Sequence, residues 1–141
     1  MTLILSNEDV ELILTMEELI PVLAEAFTEL SAGRGGDRVR TDIVTPTTWS
    51  DDSLYALKSM DGVVPKFGVG ASRINSDILT FPDTATGMRR VKIPAAPGER
   101  YVGLVLLFST HTGEPLAIFP ESKEVGPLVL VAVWLIPLSL I

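Results

Sequence analysis

Helix signals occupy only the beginning of this sequence, and strand patterns fill most of the remainder. A hydroxyl residue three positions before a carboxylate, the spacing of a capped helix start, occurs at Ser6 and again at Thr15. These starts predict a short helix over about residues 7–14 and a longer helix that ends near Ser31. Pro21 is expected to kink the second helix, because a proline beyond the first turn removes a backbone hydrogen bond.

Short apolar or alternating runs predict the strands. A first run lies at Leu3–Leu5, before the helices. The six runs after the helices are Arg38–Val44, Leu54–Met60, Val69–Ile74, Arg89–Ile93, Val102–Ser109 and Leu116–Phe119. Turns are predicted at residues 61–62 and 112–114, and a surface loop at residues 77–88. The order predicts an α+β fold, with two N-terminal helices packed on a sheet of about six strands.

Charge and composition exclude several functional classes. Eleven Lys and Arg residues against eighteen Asp and Glu residues give a net charge of −7 over 141 residues, which argues against nucleic acid as a partner. The absence of cysteine excludes disulfides, thiolate zinc sites and cysteine nucleophiles. With one histidine, His111, no metal cluster of several histidines is expected within a chain, and His111 itself is predicted to be an exposed turn residue.

Two closely spaced glycines, Gly68 and Gly70, do not complete a dinucleotide-binding fingerprint. The GxGxxG motif needs a third glycine and a helix directly after it, whereas a polar stretch from Asn75 follows here. No residue of this chain is therefore expected to bind a dinucleotide cofactor.

Four cations in or near the predicted strands are candidates for substrate binding. Strict alternation would place Arg38 and Arg40 on one face of their strand, and an arginine fork suits the carboxylate of an amino or keto acid. Lys58 lies in a largely apolar predicted strand, where burial would disfavour the charged form of its side chain and allow the neutral amine to act as a general base. Arg73 lies on the next predicted strand. The alternative interpretation of all four is a solvated strand face.

Three segments carry a family resemblance: RTDIVTP, LKSMDGVVPKFGVGASRINSD and YVGLVLLFSTHTGEPLAIFP. In order and spacing they resemble the ornithine cyclodeaminase/mu-crystallin family, and the likeness extends from the N-terminal helices to about Glu124. Members of that family are NAD(P)-dependent enzymes of small amino or imino acids: cyclodeaminases, alanine dehydrogenases and ketimine reductases. The resemblance implies that residues 1–124 are a substrate-binding and dimerisation domain of this type.

The resemblance also implies roles for individual residues. Arg40 matches the family arginine that binds the substrate carboxylate. The catalytic lysine of the family falls on Arg73 if Met60 matches the family's M-P-A segment, and on Lys58 in the other register. The first register fits the sequence pattern better, but a guanidinium is always protonated and cannot act as a base. We expect Arg40 to point into a pocket shared with Lys58 or Arg73.

The resemblance stops where the family continues into its Rossmann domain, which has no counterpart in this sequence. The expected function is therefore that of a fragment, inactive alone, of an oxidoreductase whose full-length relatives use NAD(P). This chain alone is expected to bind no cofactor. A function of another class stays open, namely a non-catalytic module that forms homo-oligomers or associates with a full-length relative.

Residues 125–141, VGPLVLVAVWLIPLSLI, form an apolar tail without a single charge. Three interpretations compete: a short membrane anchor weakened by two prolines, a buried strand over Leu128–Ile136, or a sequence that is not the natural continuation of the domain. The third agrees best with the family resemblance. The N-terminus has no basic start of a secretory signal, so a cytoplasmic location is expected, with membrane contact limited to the tail.

Overall fold

The computed structural model describes residues 1–13 and 15–120. The predictions for the tail at residues 125–141 therefore lie outside the described residues. Two helices, α1 (Asn7–Ile13) and α2 (Met16–Ser31), follow the short strand β1 (Leu3–Ile4). A 3-10 turn at Pro65–Phe67 separates the third and fourth strands. The later strands are β2 (Gly36–Pro46), β3 (Leu54–Val64), β4 (Val69–Thr80), β5 (Asp83–Thr84), β6 (Gly87–Met88), β7 (Val91–Ile93), β8 (Val102–Ser109) and β9 (Pro115–Pro120).

Both helix starts have the predicted caps. The Glu18 N–H donates to Thr15 Oγ1 at 3.3 Å, and the Thr15 N–H donates back to the Glu18 carboxylate at 3.3 Å. Ser6 and Asp9 exchange the same pair of bonds, at 3.2 and 2.8 Å. Helix α2 continues through Pro21 to its predicted end, because tertiary packing of its apolar face outweighs the one backbone bond that proline removes.

The main sheet is mixed and has seven strands. Its order is β1-β9-β8-β4-β3-β2, and β7 pairs with β4 beyond the end of β8. The β1–β9 pair is parallel and the other pairs are antiparallel. The described residues thus have the predicted α+β architecture, with β5 and β6 added as a separate hairpin.

The two sides of the sheet differ in what covers them. On the helix-facing side, Val69, Leu107 and Phe119 are buried together with Val10 of α1 and Leu19 of α2. Cross-strand partners in an antiparallel sheet project to the same side, so the register defines an opposite, outer side. Apolar side chains that remain more than a third exposed lie there: Ile43, Leu57, Val63, Val102, Leu104 and Phe108.

Strands β3 and β4 are longer than the sequence predicted. Asp61 and Gly62 lie within β3 rather than in a turn, and β4 continues through Asp77 to Thr80, so the predicted loop at 77–88 begins too early. The two strands pair without interruption from Leu54–Leu79 to Val64–Val69. Several polar residues in these strands have a partner on a neighbouring strand, such as Lys58 with Asp77 and Tyr55 with Ser76, which a single-sequence pattern does not reveal.

Candidate substrate-binding site

A row of polar residues crosses the helix-facing side of the sheet, beside the apolar core. Asp42 on β2 is the register partner of Lys58 on β3, and Lys58 is the partner of Asn75 on β4. Partners in antiparallel strands project to the same side, so the three side chains stand in line. Lys58 and Asn75 are buried, with residue exposures of 4 % and 7 %.

A buried ion pair lies at the centre of this row. The Lys58 ammonium contacts the Asp77 carboxylate, and the exposed fractions of the two side chains are 4 % and 2 %. Lys92 Nζ approaches the same carboxylate oxygen at 3.1 Å from β7, with its own side chain 45 % exposed. Asp77 is therefore neutralised by one buried and one accessible ammonium group.

A second carboxylate is shared in the same way at the β2 end of the row. Arg40 donates to Asp42 through Nε at 2.8 Å and through Nη2 at 3.0 Å, a bidentate pair. Arg90 Nη2 lies 3.7 Å from the same carboxylate. Since β7 pairs with β4 and Asp42 lies on β2, the Arg90 side chain lies across this side of the sheet. We call these six side chains the charged patch: Arg40, Asp42, Lys58, Asp77, Arg90 and Lys92.

The structure places Arg40 on the same side of the sheet as Lys58. Its contact is with Asp42, the register partner of Lys58, and half of its side chain is exposed. Carboxylate binding by Arg40, in a pocket shared with Lys58 or Arg73, stays a prediction.

The expectation that Arg38 shares a face with Arg40 is wrong. A β-bulge between Arg38 and Thr41 adds one residue to β2 and shifts the alternation. Arg38 consequently donates to Ser59 Oγ at 3.1 Å and pairs with Asp61, both on the outer side. Strict period-2 reasoning cannot anticipate such an inserted residue.

Arg73 lies on β4, on the helix-facing side, opposite Met60 on β3. It is two residues from Asn75, the partner of Lys58, so Arg73 and Lys58 are diagonal neighbours, with Cβ atoms about 7–8 Å apart in standard antiparallel geometry. Both candidates for the lysine position therefore lie in one neighbourhood. The catalytic assignment of either residue stays a prediction.

Sequence reasoning missed four members of the charged patch: Asp42, Asp77, Arg90 and Lys92. The sequence pattern predicts a loop at Asp77 and indicates nothing more than a strand at residues 89–93. The basic run R-R-V-K at residues 89–92 is the one local signal that could have drawn attention to this segment.

A cavity of about 270 Å³ reaches Asp77 from the gap between β7 and β8. Trp49, Arg100 and Tyr101 are among the residues that line it. The register explains the opening, because β8 pairs with β4 as far as Ser76 and β7 begins pairing at Ile78. Ser76, Ile78 and Val102 also line the cavity, and by their register these three residues project to the outer side of the sheet.

The remaining sequence candidates have local roles. His111 is exposed, and its backbone N–H donates to Ser109 Oγ at 3.1 Å in the turn before β9. Gly68 has a φ of 71°, ends the 3-10 turn and leads into β4 rather than into a helix. Its neighbourhood therefore lacks the strand-turn-helix geometry that binds a dinucleotide pyrophosphate.

Within the described ranges 1–13 and 15–120, no helix is both long and apolar enough to span a membrane. No group of three or more metal-ligating His, Cys, Asp or Glu side chains occurs in those same ranges.

Comparison with solved structures shows the fold of this chain in several enzymes. One match is a probable ornithine cyclodeaminase from Bordetella pertussis Tohama I. The match covers 93 % of this chain and 32 % of that enzyme, with a TM-score of 0.60 and 19 % sequence identity. A second match is an archaeal alanine dehydrogenase dimer with bound NAD. It covers 93 % of this chain and 34 % of the dehydrogenase chain, with a TM-score of 0.61 and 20 % sequence identity.

A third match is the Δ1-pyrroline-2-carboxylate reductase of Thermococcus litoralis, in complex with NADH and L-proline. The match covers 92 % of this chain and 33 % of the reductase, with a TM-score of 0.59 and 22 % sequence identity. No protein-family model and no curated protein matches the sequence. The chain thus spans about a third of the length of these enzymes and shares their fold over that third, as the resemblance predicted.

Proposed function

We propose that this chain is the substrate-binding part of a cytoplasmic, NAD(P)-dependent oxidoreductase of the ornithine cyclodeaminase type, acting on a small amino or imino acid. The buried Lys58–Asp77 pair carries the proposal, because it lies beside the arginine that the resemblance assigns to the substrate carboxylate. The shared fold with enzymes named for ornithine, alanine and pyrroline-2-carboxylate supports the substrate class.

In this proposal Arg40 binds the substrate carboxylate. Its guanidinium already makes a bidentate bond to Asp42, which has the geometry that an incoming carboxylate would adopt. A half-exposed ion pair of this kind contributes only about 0–1 kcal/mol, so a substrate carboxylate can displace Asp42 at little cost. Arg90, on the other side of Asp42, then retains that aspartate.

Lys58 is the member of the patch best suited to proton transfer at the reacting centre. An ammonium group held by Asp77 can donate a proton and recover it, whereas the guanidinium of Arg73 stays protonated. Asp77 acts as a positioning residue, because it fixes the Lys58 ammonium without contacting the substrate. Lys92 contacts the same carboxylate at 3.1 Å and so also positions Asp77.

A nicotinamide cofactor would supply the hydride in the complete enzyme. The turn at Gly68 does not fit that cofactor, since it leads into a strand instead of a helix N-terminus. We therefore propose that the chain alone binds the substrate but does not turn it over.

Isothermal titration of the 141-residue chain with L-proline, L-alanine and L-ornithine tests this function. We expect one of these ligands to bind, NADH not to bind, and Arg40→Gln to weaken binding by about tenfold or more, the effect of one lost charge-assisted bond. Arg89→Gln is the matched control, because it removes the same charge from the neighbouring hairpin without altering a described contact of the patch. Binding that is unchanged in Arg40→Gln, or micromolar binding of NADH, would contradict the proposal.

A non-catalytic association module is the second candidate. Exposed apolar side chains on the outer side of the sheet favour it: Ile43 and Leu57 are partners on β2 and β3, and Leu104 lies on β8. In this alternative the outer side binds a second copy of the chain or the equivalent surface of a full-length relative. Both functions can coexist, since the charged patch lies on the opposite side of the sheet.

A further inference from the structure

We propose that the charged patch selects a substrate with two carboxylates, and that Arg90 and Lys92 determine this specificity. The inference rests on the proposed function and adds the substrate class to it. Two carboxylates in the patch each contact two cations: Asp42 contacts Arg40 and Arg90, and Asp77 contacts Lys58 and Lys92. These six side chains therefore carry a formal charge of +2, in a chain whose net charge is −7.

The excess positive charge lies at two separate places. Asp42 and its arginines stand over β2, whereas Asp77 and Lys92 stand over β4 and β7. Two strand spacings separate β2 from β4, which amounts to roughly 10 Å. A ligand with a carboxylate at each end can contact both cation pairs, whereas a ligand with one carboxylate can contact only one pair.

Arg90 and Lys92 have the accessibility that a specificity role requires. Their side chains are 44 % and 45 % exposed, while Lys58 is buried against Asp77. Each makes one described contact to a carboxylate of the patch, and each has further N–H donors. A second ligand carboxylate can therefore bind to Lys92 without breaking the buried pair, while Arg90 assists Arg40 in binding the first.

The same cations disfavour other substrates. An amino acid with a basic side chain would bring a second positive charge toward Arg90 and Lys92 once its carboxylate is bound to Arg40. An apolar side chain would leave the excess charge of the patch unsatisfied. Specificity here combines attraction for a dicarboxylate with repulsion of a diamine acid.

Titration of the chain with succinate and butyrate tests the inference, because the two ligands have four carbons each and differ in one carboxylate. We expect succinate to bind about tenfold more tightly than butyrate, the effect of an added charge-assisted bond. In the double variant Arg90→Gln/Lys92→Gln this preference should disappear, because the second carboxylate of succinate then has no accessible cation to bind. Arg89→Gln should keep the preference and so controls for the loss of general positive charge.

The outcomes separate this inference from the proposed function. Equal binding of succinate and butyrate by the unmodified chain, with loss of both in Arg40→Gln, overturns the dicarboxylate preference and leaves the proposed function standing. A preference that survives in the double variant overturns the role of Arg90 and Lys92. If neither these acids nor the amino acids bind, the proposed function and the specificity inference both fail.

Discussion

The Lys58–Asp77 pair costs free energy where an apolar pair would not. Removing two charges from water is expensive, and replacing a buried pair by well-packed apolar residues is often neutral or stabilising. Ala56 and Leu79, which flank this pair on the same side of β3 and β4, are buried and apolar, so the strands could have continued an apolar core there. A charged pair at such a position is weak evidence for stability, which agrees with the role proposed above for Lys58.

Removing one partner of this pair should destabilise the chain strongly. Asp77→Asn leaves the Lys58 ammonium buried without its carboxylate, so we expect a loss of about 3–5 kcal/mol in the free energy of unfolding. The double variant Lys58→Met/Asp77→Leu should recover most of that loss, because neither charge is then buried. Urea denaturation measures both values, and Arg40→Gln, at a half-exposed pair, should cost no more than about 1 kcal/mol. A double variant as unstable as Asp77→Asn would contradict this account.

Sequence patterns identified one half of the buried pair and missed the other. Lys58 is conspicuous because it interrupts an apolar strand, which a single sequence displays directly. Asp77 lies 19 residues away among polar neighbours, and only the pairing of β3 with β4 brings it to Lys58. In a single sequence, a run of polar residues has the pattern of a loop, because the residues that pair with it on other strands cannot be identified. Arg40 was recognised by resemblance, but its bidentate partner Asp42 depends on the conformation of a bulged strand.

At the scale of elements, a charge cluster joins the end of α2 to the turn after β3. The Arg34 guanidinium donates to the Glu29 carboxylate at 2.7 and 2.9 Å, and its backbone N–H donates to the Glu29 carbonyl at 2.9 Å. Lys66 of the 3-10 turn lies 3.8 Å from the same carboxylate and also pairs with Glu25. The cluster therefore fixes the helix C-terminus to the sheet.

These cations make part of the stability dependent on pH. The hydrogen bond from Arg34, aided by the charge of Lys66, lowers the pKa of Glu29 below its ordinary value of 4.5. A lowered carboxyl pKa contributes stability that is present above 4.5 and is lost as the pH falls through the folded-state pKa. Glu29→Gln should therefore be less stable than the unmodified chain at pH 7, and the difference should shrink as the pH falls below 4.5.

Urea denaturation at a series of pH values from 7 downward measures this difference. Arg34→Gln is the matched variant, because it removes the other side of the same bond and should show the same pH dependence. A stability difference that stays constant down to pH 3 would show that Glu29 acts through packing rather than through its charge.

At the scale of the whole molecule, the α+β class followed from the order of helix and strand patterns, but the arrangement of the strands did not. Two capped helices before a series of strands predict one helical layer on a sheet. The placement of β4 between β3 and β8 depends on contacts distant in sequence, as does the parallel pairing of β1 with β9. The sequence predicts neighbours only for strands joined by a short turn, such as β8 and β9.

The outer side of the sheet has a consequence for association. Leu57, Leu104 and Phe108 are between 37 % and 44 % exposed, and they lie on the same side of β3 and β8. Exposed apolar side chains on one side of a sheet are typical of an interaction surface. In a two-fold symmetric dimer both subunits use the same surface, and we therefore expect a second copy of the chain to be the partner of this side.

A lysine on the outer side should therefore weaken self-association. We expect the unmodified chain to form dimers in sedimentation velocity experiments, and Leu104→Lys or Leu57→Lys to shift it toward monomer, because either change buries an unpaired charge in the interface. Met88→Lys is the matched control, since Met88 is 72 % exposed on the β5–β6 hairpin, which is not part of the main sheet.

Deletion of residues 125–141, the apolar tail, distinguishes the two possible sources of association. If the deleted chain still dimerises and Leu104→Lys dissociates it, the outer side forms the interface. If deletion alone gives a monomer, the tail drives association, and the assignment of the dimer interface to the sheet is wrong.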